Sequence, residues 1–309
     1  MTPESWWQRR SGCAKTLLTE CFSNGMGQLD KVEQRLGGAL KHILSKPGSM
    51  TRAIIAYMVG IEMGLVEEGA RAISCGIEYL HTASLIFDDL PCMDDAVSRR
   101  GDDCVHVVHG EATAILAALA LVNRGYSMLW QGVASGNSDR RKEAAEWIDK
   151  RLGTSGVIGG QSLDLNSWAG SKDTTSVSKV AAMKTADLLR LTVVLPAILG
   201  KATRREIQLL DRLALFRGLA YQAADDIKDV FQEFSQSGKT GGRDHALDRP
   251  NLVATEGAEG AIRRFLRLNA IADRLQASLP GALYQWQILD MLRVPLSVDL
   301  TEIKIRAAV

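Results

Sequence analysis

The chain has 309 residues, of which 46% are hydrophobic and 24% are charged, and its formal net charge at pH 7 is +1. This apolar content is enough for one large core or two smaller ones. The near-neutral charge gives no electrostatic reason to expect a nucleic acid as partner.

The cysteines and the apolar runs bear on the cellular location of the protein. The five cysteines are an odd number without a CxxC pair, which fits a reducing compartment better than a disulfide framework. The longest notable apolar run, residues 114–122, is far shorter than the ~20 residues that span a bilayer. The N-terminus carries no apolar signal-peptide core. We therefore expect a cytoplasmic protein without a membrane span.

In chain order, the sequence predicts helices throughout. Apolar residues recur at three- and four-residue spacing in long segments, namely 53–87, 111–131, 176–199 and 203–234. Strand-like alternation and internal repeats are absent from the sequence. Gly/Ser-rich breaks predict loops at 134–138, 167–178 and 235–242. The fold class expected is all-α, as a single domain over residues 1–309.

The stretch 78–101 has the strongest chemical signal, because four aspartates (Asp88, Asp89, Asp94 and Asp95) follow an apolar helical run and precede an arginine pair. In a regular helix Asp88 and Asp95 would share a face and Asp94 would not. Pro91 breaks that regularity, so which later aspartate joins Asp88 stays open. Carboxylates 4 Å apart repel by about 4 kcal/mol, so the cluster needs cations, and oxygen-only ligands suit Mg²⁺. The alternative is a solvated helix end.

A second acidic cluster lies at residues 221–229, YQAADDIKD. Asp225 and Asp229 are at i and i+4 on one helical face, with Asp226 beside them. Two acidic faces, each embedded in apolar helix, could oppose one another and hold metal ions between them. A diphosphate group is the ligand expected at such a site, because Mg²⁺ commonly bridges carboxylates to phosphates.

Several blocks in this order and spacing resemble those of the trans-isoprenyl diphosphate synthases, in particular bacterial geranylgeranyl diphosphate synthases. They are DDLPCMDDAVSRRG, GGQSLDL at 159–165, Lys184 with Thr185, YQAADDIKD, and GKTGGRD at 238–244. The resemblance runs from about Gly37 to about Val253. It implies a helical bundle around a deep central cavity, usually a homodimer, with about three Mg²⁺ ions in each site. The implied activity is a prenyltransferase that condenses an allylic diphosphate with isopentenyl diphosphate to geranylgeranyl diphosphate.

The resemblance also implies roles for individual residues. The metal ligands are Asp88, Asp94, Asp225 and, through water, Asp229. Residues that grip or orient the allylic diphosphate are Arg99, Gln161, Asp164, Lys184, Thr185, Gln222 and Lys239. Residues that contact isopentenyl diphosphate are Arg52, His81 and Arg100. Taken singly, each lysine could instead be an ordinary surface residue. His81 could instead be a core histidine whose hydrogen bonds are satisfied within the protein.

The block at 47–53, PGSMTRA, departs from the family pattern. Ser49 and Met50 stand where a lysine and an arginine usually bind isopentenyl diphosphate, and Arg52 alone remains. Losing two charge-assisted hydrogen bonds would weaken binding by about 3 to 6 kcal/mol. Lys46 either substitutes for the missing cations of this site or is a solvated loop residue.

The departure motivates a second hypothesis, a diverged class I terpene synthase or a prenyltransferase with another acceptor. A third, a non-catalytic partner subunit, is disfavoured because both acidic motifs are intact.

Small residues just before Asp88 bear on product length. Ala83 and Ser84 lie about one helical turn upstream of it, where a growing prenyl chain would descend. Relatives that make shorter products commonly carry an aromatic floor there, so the resemblance predicts a deeper pocket. The alternatives are that these residues merely permit close helix packing, or that the floor comes from Tyr79, Phe87 or Leu116.

Overall fold

The computed structural model describes residues 3–99, 101–166, 173–231, 251–281 and 285–296. Helices dominate them and confirm the all-α expectation. The α-helices are α1 (Pro3–Asn24), α2 (Gln34–Leu44), α3 (Thr51–Glu62), α4 (Glu67–Asp88), α5 (Val105–His109), α6 (Glu111–Ser135), α7 (Arg141–Leu152), α8 (Val157–Asn166), α9 (Thr174–Ala181), α10 (Asp187–Leu199), α11 (Arg204–Phe231) and α12 (Leu252–Ala277).

Shorter elements join these helices. A π-helical turn (Ala182–Ala186) lies between α9 and α10, and 3-10 turns occupy Leu29–Lys31, Ser138–Arg140 and Gln287–Leu292. Two-residue strands β1 (Ser98–Arg99) and β2 (Asp102–Asp103) form an antiparallel hairpin. This hairpin is the strand structure in the described residues, and the sequence did not predict it.

Some predicted boundaries differ from the structure, among them those of the segment 53–87 and of the loop 167–178. The helical segment 53–87 divides into α3 and α4 at Gly64, whose φ of 75° is left-handed and favours glycine. The loop predicted at 167–178 is wrong from Thr174 onward, because the Asp173 side chain caps α9 by accepting from the Ser176 N–H at 2.8 Å. The rest of that loop, 167–172, and the one at 235–242 lie outside the described residues.

The chain forms two compact units. The first comprises Met1–Ala145 and Thr192–Thr203, and the second comprises Glu146–Leu191 and Arg204–Val309. The first carries the aspartates of residues 88–95, and the second carries those of residues 225–229.

Glycines at seven-residue spacing allow α4 and α6 of the first unit to pack closely and antiparallel. A Cβ on Gly76 would lie 2.9 Å from the Gly125 carbonyl oxygen, and one on Gly132 would lie 2.3 Å from Ile73 Cγ1 and 3.1 Å from the Gly69 oxygen. Larger residues would separate the helices, since ordinary contacts begin near 3.4 Å. This contact fixes the helix that ends in Asp88.

An aromatic contact ties α1 to α4. The ring of Tyr79 is fully buried and stacks on Phe22 with centroids 4.7 Å apart, while its hydroxyl donates to the Phe22 carbonyl oxygen at 2.5 Å. Burial raises the pKa of the Tyr79 phenol well above its ordinary value. Tyr79 is therefore committed to packing between these helices.

Helix α6 is, in the described part of the chain, the one helix long and apolar enough to cross a membrane, by length and composition only. In its most apolar window 39% of the residues are buried, and its glycine face packs on α4. It also exposes Ile115, Leu116 and Leu119, which are 38%, 54% and 51% accessible. The packed face identifies α6 as a core helix of this unit.

The core of the second unit lies between α11 and α12. Small residues on α11 face larger ones on α12, and the buried cluster consists of Ala220, Ala223, Ala224, Ile227, Leu252, Ala261, Phe265 and Leu268. Arg217 is only 1% accessible, and its guanidinium donates to Asn269 Oδ1 and Asp273 Oδ1, each at 2.6 Å. This packing sets the orientation of the helix that carries Asp225.

A buried ionic network holds the start of α10 in the same unit. Asp187 is 3% accessible and accepts from Arg151 at 2.7 Å and from Arg190 at 3.0 Å. Arg190 also forms a two-hydrogen-bond contact with Asp211 at 2.6 and 2.7 Å. Burial raises the pKa of Asp187, although both arginines oppose the shift.

Candidate functional site

The first acidic cluster is a turn that reverses the chain after α4. Helix α4 ends at Asp88, and the Asp94 N–H donates to the Asp88 carbonyl oxygen at 2.9 Å. Asp95 has a left-handed φ of 49°, and its N–H donates to the Leu90 oxygen at 3.0 Å. Pro91 is exposed at the tip of the turn. The backbone of Asp94, rather than that of Asp95, therefore lies against Asp88.

Asp89 is the buried member of this cluster. It is 5% accessible, and both of its oxygens accept from Arg99: Nε lies 2.8 and 2.9 Å from them, and Nη2 lies 2.6 Å from Oδ1. Burial lowers the pKa of Arg99, but the hydrogen bonds and charge of Asp89 outweigh this and raise it. Burial, with a contribution from Asp89, also raises the pKa of the Cys104 thiol to about 12.

The β1–β2 hairpin presents Arg99. Arg99 pairs with Asp102 across the hairpin, and Gly101 supplies the left-handed turn with a φ of 83°. Asp102 also forms an ion pair with Lys46 at 2.6 Å, in which both side chains are 50% accessible. The hairpin is thus held by two ion pairs, Arg99 with Asp89 and Asp102 with Lys46. Arg100 lies outside the described residues.

The block that departs from the family has an unusual backbone. Met50 has a left-handed φ of 56°, caps α3 and is fully buried. Ser49 is exposed and accepts from the Thr51 hydroxyl at 2.9 Å. Positions 49 and 50 therefore point into different environments, one into solvent and the other into the core. Lys46 is exposed and forms a surface ion pair with Asp102 at 2.6 Å.

Arg52 and His81, two residues predicted to contact isopentenyl diphosphate, lie together. Arg52 Nη1 is 3.1 Å from His81 Nε2. A guanidinium group has donors and no acceptor, so a hydrogen bond in this contact runs from Arg52 to the imidazole nitrogen. Behind them, Glu78 is buried and accepts from the Ala53 N–H at 3.3 Å.

The two positions predicted to set chain length differ in their surroundings. Ala83 is fully buried, whereas Ser84 is half-buried and donates to the His81 carbonyl oxygen at 2.8 Å. Among the alternative floor residues, Phe87 is half-buried, Tyr79 is sealed against α1, and Leu116 is 54% accessible. Ser84 and Phe87 are thus the members of this set on the less packed side of α4.

In the second unit, the π-helical turn carries Lys184 and Thr185. Single π-turns are rare and recur at functional sites. Gly160 of α8 permits close approach, because a Cβ there would lie 2.4 Å from the Lys184 backbone nitrogen. Lys184 Nζ then reaches Asp164 Oδ2 at 2.6 Å. The structure thus brings together Asp164 and Lys184, while Gln161 is half-buried on the same helix.

A hydrogen-bond chain joins the π-turn to the second acidic cluster. The Thr185 hydroxyl donates to Gln222 Oε1 at 2.7 Å, and Gln222 Nε2 donates to Asp226 Oδ1 at 2.8 Å. Asp226 Oδ2 accepts from the Leu252 N–H at 2.8 Å. Asp226 is 4% accessible, and burial raises its pKa to about 6 although these hydrogen bonds oppose the shift. Asp225 is exposed.

The predicted metal ligands are all carboxylates, and this donor set fits Mg²⁺, which prefers oxygen. Among the described residues no group of three or more His, Cys, Asp or Glu is arranged to hold a metal ion by itself. Mg²⁺ sites commonly use one or two carboxylates, waters and substrate phosphates, so two carboxylates in each unit suit this chemistry. Lys239 lies outside the described residues.

Sequence reasoning missed the roles of Asp89 and Asp226 in the site. Each is the second residue of an Asp-Asp pair, and each is buried and hydrogen-bonded to the protein. The signal was present in helix geometry: neighbouring residues point about 100° apart, so one face cannot receive both carboxylates.

Comparison with known proteins identifies the family. The sequence model described as "Polyprenyl synthetase" matches residues 33–276. The chain is 35% identical over 225 residues to a chloroplastic geranylgeranyl pyrophosphate synthase of Capsicum annuum, covering 72% of this chain and 61% of that protein. It is 32% identical to a farnesyl diphosphate synthase of Bacillus subtilis, covering 72% and 76%. The chain thus spans less than two thirds of the pepper relative.

Comparison of the fold with solved structures identifies the same family. A crystal structure of a Helicobacter pylori geranyltransferase, complexed with magnesium and isoprenyl diphosphate, matches with a TM-score of 0.79 and 25% identity. The match covers 94% of this chain and 96% of that one. The acidic motifs lie within the matched sequence range, at 88–95 and 225–229. The chain therefore belongs to the polyprenyl synthetase family.

Proposed function

We propose that this protein is a trans-prenyltransferase that condenses an allylic diphosphate with isopentenyl diphosphate and ends at geranylgeranyl diphosphate. The observation that carries the proposal is the pair of Asp-Asp motifs, each supported by a hydrogen-bonded framework in its own unit. The names of the relatives, which include geranylgeranyl and farnesyl diphosphate synthases, support the same substrate class.

The carboxylates would act as metal ligands. Asp88 and Asp94 in one unit, with Asp225 in the other, would bind Mg²⁺ directly, and Asp229 would bind through water. When bound, about three Mg²⁺ ions would neutralise the diphosphate leaving group and lower the barrier to breaking its carbon–oxygen bond. The H. pylori geranyltransferase, whose crystal structure is a complex with magnesium, supports this choice of metal.

The cationic and polar residues would stabilise the departing diphosphate. Arg99, Lys184 and Lys239 would receive its developing negative charge, a form of electrostatic stabilisation that is strongest where water is excluded. Gln222 and Thr185 would orient the same group, and Gln161 and Asp164 would hold metal-bound water or Lys184. The ion pair of Lys184 with Asp164, only 27% and 13% accessible in its side chains, keeps that ammonium positioned before substrate arrives.

The acceptor would bind beside α3 and α4. Arg52, His81 and Arg100 would hold the diphosphate of isopentenyl diphosphate, whose double bond attacks the allylic cation. The departed diphosphate is the base for the final proton. An apolar surface must exclude water, which would otherwise capture the cation. The small side chains of Ala83 and Ser84 would leave room for the growing chain.

The assembly and location are part of the same proposal. Ile115, Leu116 and Leu119 are exposed and lie within about one turn of each other on α6, and contiguous apolar surface of this kind supports a homodimer. The whole chain would act as one catalytic domain. The five cysteines carry no disulfide in the part of the chain that the structure describes, which supports a cytoplasmic location.

One incubation tests the activity. Purified protein is mixed with Mg²⁺ and farnesyl diphosphate, with and without isopentenyl diphosphate, and the products are identified by mass spectrometry. Geranylgeranyl diphosphate formed only when both substrates are present is the expected result. Removal of Mg²⁺ with EDTA should abolish it. A protein that leaves both diphosphates intact under these conditions would refute the proposal.

A second candidate function is favoured by the block at 47–53. Positions 49 and 50 hold Ser and Met, which are uncharged, so neither offers a cation to a second diphosphate. A class I terpene synthase, or a prenyltransferase with an uncharged acceptor, needs no such cation. Hydrocarbon or alcohol released from farnesyl or geranylgeranyl diphosphate alone would favour this function over elongation.

The substitution Ser49→Lys separates the two functions further. Because Ser49 is exposed, a lysine fits there without disturbing the core. If isopentenyl diphosphate binds in a weakened site, its KM should fall in the variant. Met50→Arg is the structural counterpart: burying an arginine at a fully buried position should destabilise the fold, since an uncompensated buried charge is costly.

A further inference from the structure

We infer that the second aspartate of each motif, Asp89 in the first unit and Asp226 in the second, is a positioning residue and not a metal ligand. Asp89 orients Arg99, and Asp226 orients Gln222. This inference rests on the proposed function, because it concerns the groups that would meet the diphosphate. It assigns the two carboxylates of each Asp-Asp pair to different tasks.

Helix geometry separates the two members of each pair. Successive residues of a helix are rotated by about 100°, so their carboxylates leave in different directions. Asp89 and Asp226 are 5% and 4% accessible, while Asp88 is half-buried and Asp225 is exposed. In both pairs the first aspartate has the greater access to a ligand, and the second points into the protein.

The oxygens of Asp89 are already bound by a strong donor. Its two-oxygen contact with Arg99 uses the guanidinium Nε and Nη2, in the planar geometry that makes such pairs specific. Nη1 is not among the atoms that bind Asp89, so this edge of the guanidinium can face a diphosphate. The pair is anchored further because Arg99 lies in the short hairpin with Asp102.

Asp226 fixes the orientation of an amide. An ionised carboxylate only accepts hydrogen bonds, so Gln222 must turn its Nε2 toward Asp226, and the amide oxygen then receives the Thr185 hydroxyl. Asp226 accepts from one N–H of the Gln222 amide, and within the described residues the structure gives the second N–H no partner. The Thr185 proton is used by Gln222. Gln222, and not Thr185, is therefore the donor that this chain prepares for a diphosphate.

A binding experiment tests the division of tasks without requiring prenyl transfer. Inorganic pyrophosphate is titrated into the full-length protein by calorimetry over a series of Mg²⁺ concentrations. Asp89→Asn and Asp226→Asn are compared with Asp88→Asn and Asp225→Asn. All four substitutions remove the charge and keep the size of the side chain. All four variants are first checked for wild-type circular dichroism and melting temperature.

The expected results differ between the two sets. Asp89→Asn and Asp226→Asn should weaken pyrophosphate binding at saturating Mg²⁺ by about tenfold to a hundredfold, the range of one charge-assisted hydrogen bond, with the Mg²⁺ midpoint unchanged. Asp88→Asn and Asp225→Asn should raise the Mg²⁺ midpoint. Asp89→Asn combined with Arg99→Gln should bind no more weakly than Arg99→Gln alone, because both changes remove the same contact.

Three outcomes would overturn the inference. The first is a Mg²⁺ midpoint that rises in Asp89→Asn or Asp226→Asn as it does in Asp88→Asn. The second is additive loss in the Asp89→Asn and Arg99→Gln double variant. If Asp89→Asn does not fold, Arg99→Lys replaces it, since lysine cannot form the two-hydrogen-bond contact. Wild-type pyrophosphate affinity in Arg99→Lys is then the third contradicting outcome.

The inference and the proposed function fail separately. Wild-type protein that binds Mg²⁺ and pyrophosphate with the expected variant pattern, but does not elongate farnesyl diphosphate, refutes the proposed acceptor chemistry and supports the inference. Elongating protein with a shifted Mg²⁺ midpoint in Asp89→Asn refutes the inference alone. Protein that binds no pyrophosphate at any Mg²⁺ concentration contradicts both.

Discussion

The substitution Gly160→Ala probes how closely α8 must approach the π-turn that carries Lys184. The added Cβ would lie 2.4 Å from the Lys184 nitrogen and 2.7 Å from Met183 C, while ordinary contacts begin near 3.4 Å, so the two segments must separate by about 1 Å. The neighbouring atoms are backbone and cannot rotate away. Overpacking of this kind costs about 1 to 3 kcal/mol, and the higher helix propensity of alanine offsets about 0.5 to 1 kcal/mol of it.

The net loss expected for Gly160→Ala is up to about 2.5 kcal/mol, which lowers Tm by up to about 4 °C for a chain of 309 residues. Separation also lengthens the Lys184–Asp164 contact, so KM for the allylic diphosphate should rise. Thermal unfolding followed by circular dichroism and steady-state kinetics measure the two effects. Gly12→Ala is the matched control, because nothing lies within 4 Å of a Cβ there. Equal Tm and KM in the two variants would refute the reasoning.

Three further predictions follow from burial and charge. Ser84→Phe should shorten the main product read by mass spectrometry, whereas Ala83→Phe should mainly lower Tm, because Ala83 is fully buried; the reverse pattern would contradict the assignment. Asp187→Ala should lower the free energy of unfolding by about 3 to 5 kcal/mol by leaving the buried Arg151 guanidinium without its carboxylate, against less than about 0.5 kcal/mol for Arg263→Ala in an exposed pair; equal losses would contradict this. Because the folded-state pKa of Asp226 is raised from 3.8 to about 6, the folded state binds the proton more tightly, and stability without Mg²⁺ should fall as the pH rises from about 4 to 6. In Asp226→Asn that decline should be smaller, as measured by urea unfolding at each pH.

The sequence predicted the helical fold and the motifs that carry the site residues, because helical periodicity and motif spacing can be read from local sequence. The close contact of α4 with α6 was not predicted, although its signal, glycines seven residues apart at Gly69 and Gly76 and at Gly125 and Gly132, was present. Glycine spacing shows where backbones can approach, but it does not show which helices meet. That pairing is decided by tertiary packing.

Within the site, geometry determined what residue type could not. Four aspartates in one stretch look equivalent in sequence, yet a buried arginine contact distinguishes Asp89 from Asp88. Met50 shows the same limit, since a left-handed φ of 56° at a methionine is uncommon and no propensity predicts it. His81 likewise contacts Arg52, which lies 29 positions away in the chain, and no local pattern shows that these two side chains meet.

The most direct test of the metal-dependent mechanism is a crystal structure of the protein with Mn²⁺ in place of Mg²⁺ and with inorganic pyrophosphate, in which anomalous scattering locates the metal ions. The proposal predicts ions that bridge the pyrophosphate to Asp88 and Asp94 on one side and to Asp225 on the other. Ions bound to one acidic cluster alone, or to Asp89 or Asp226, would contradict it.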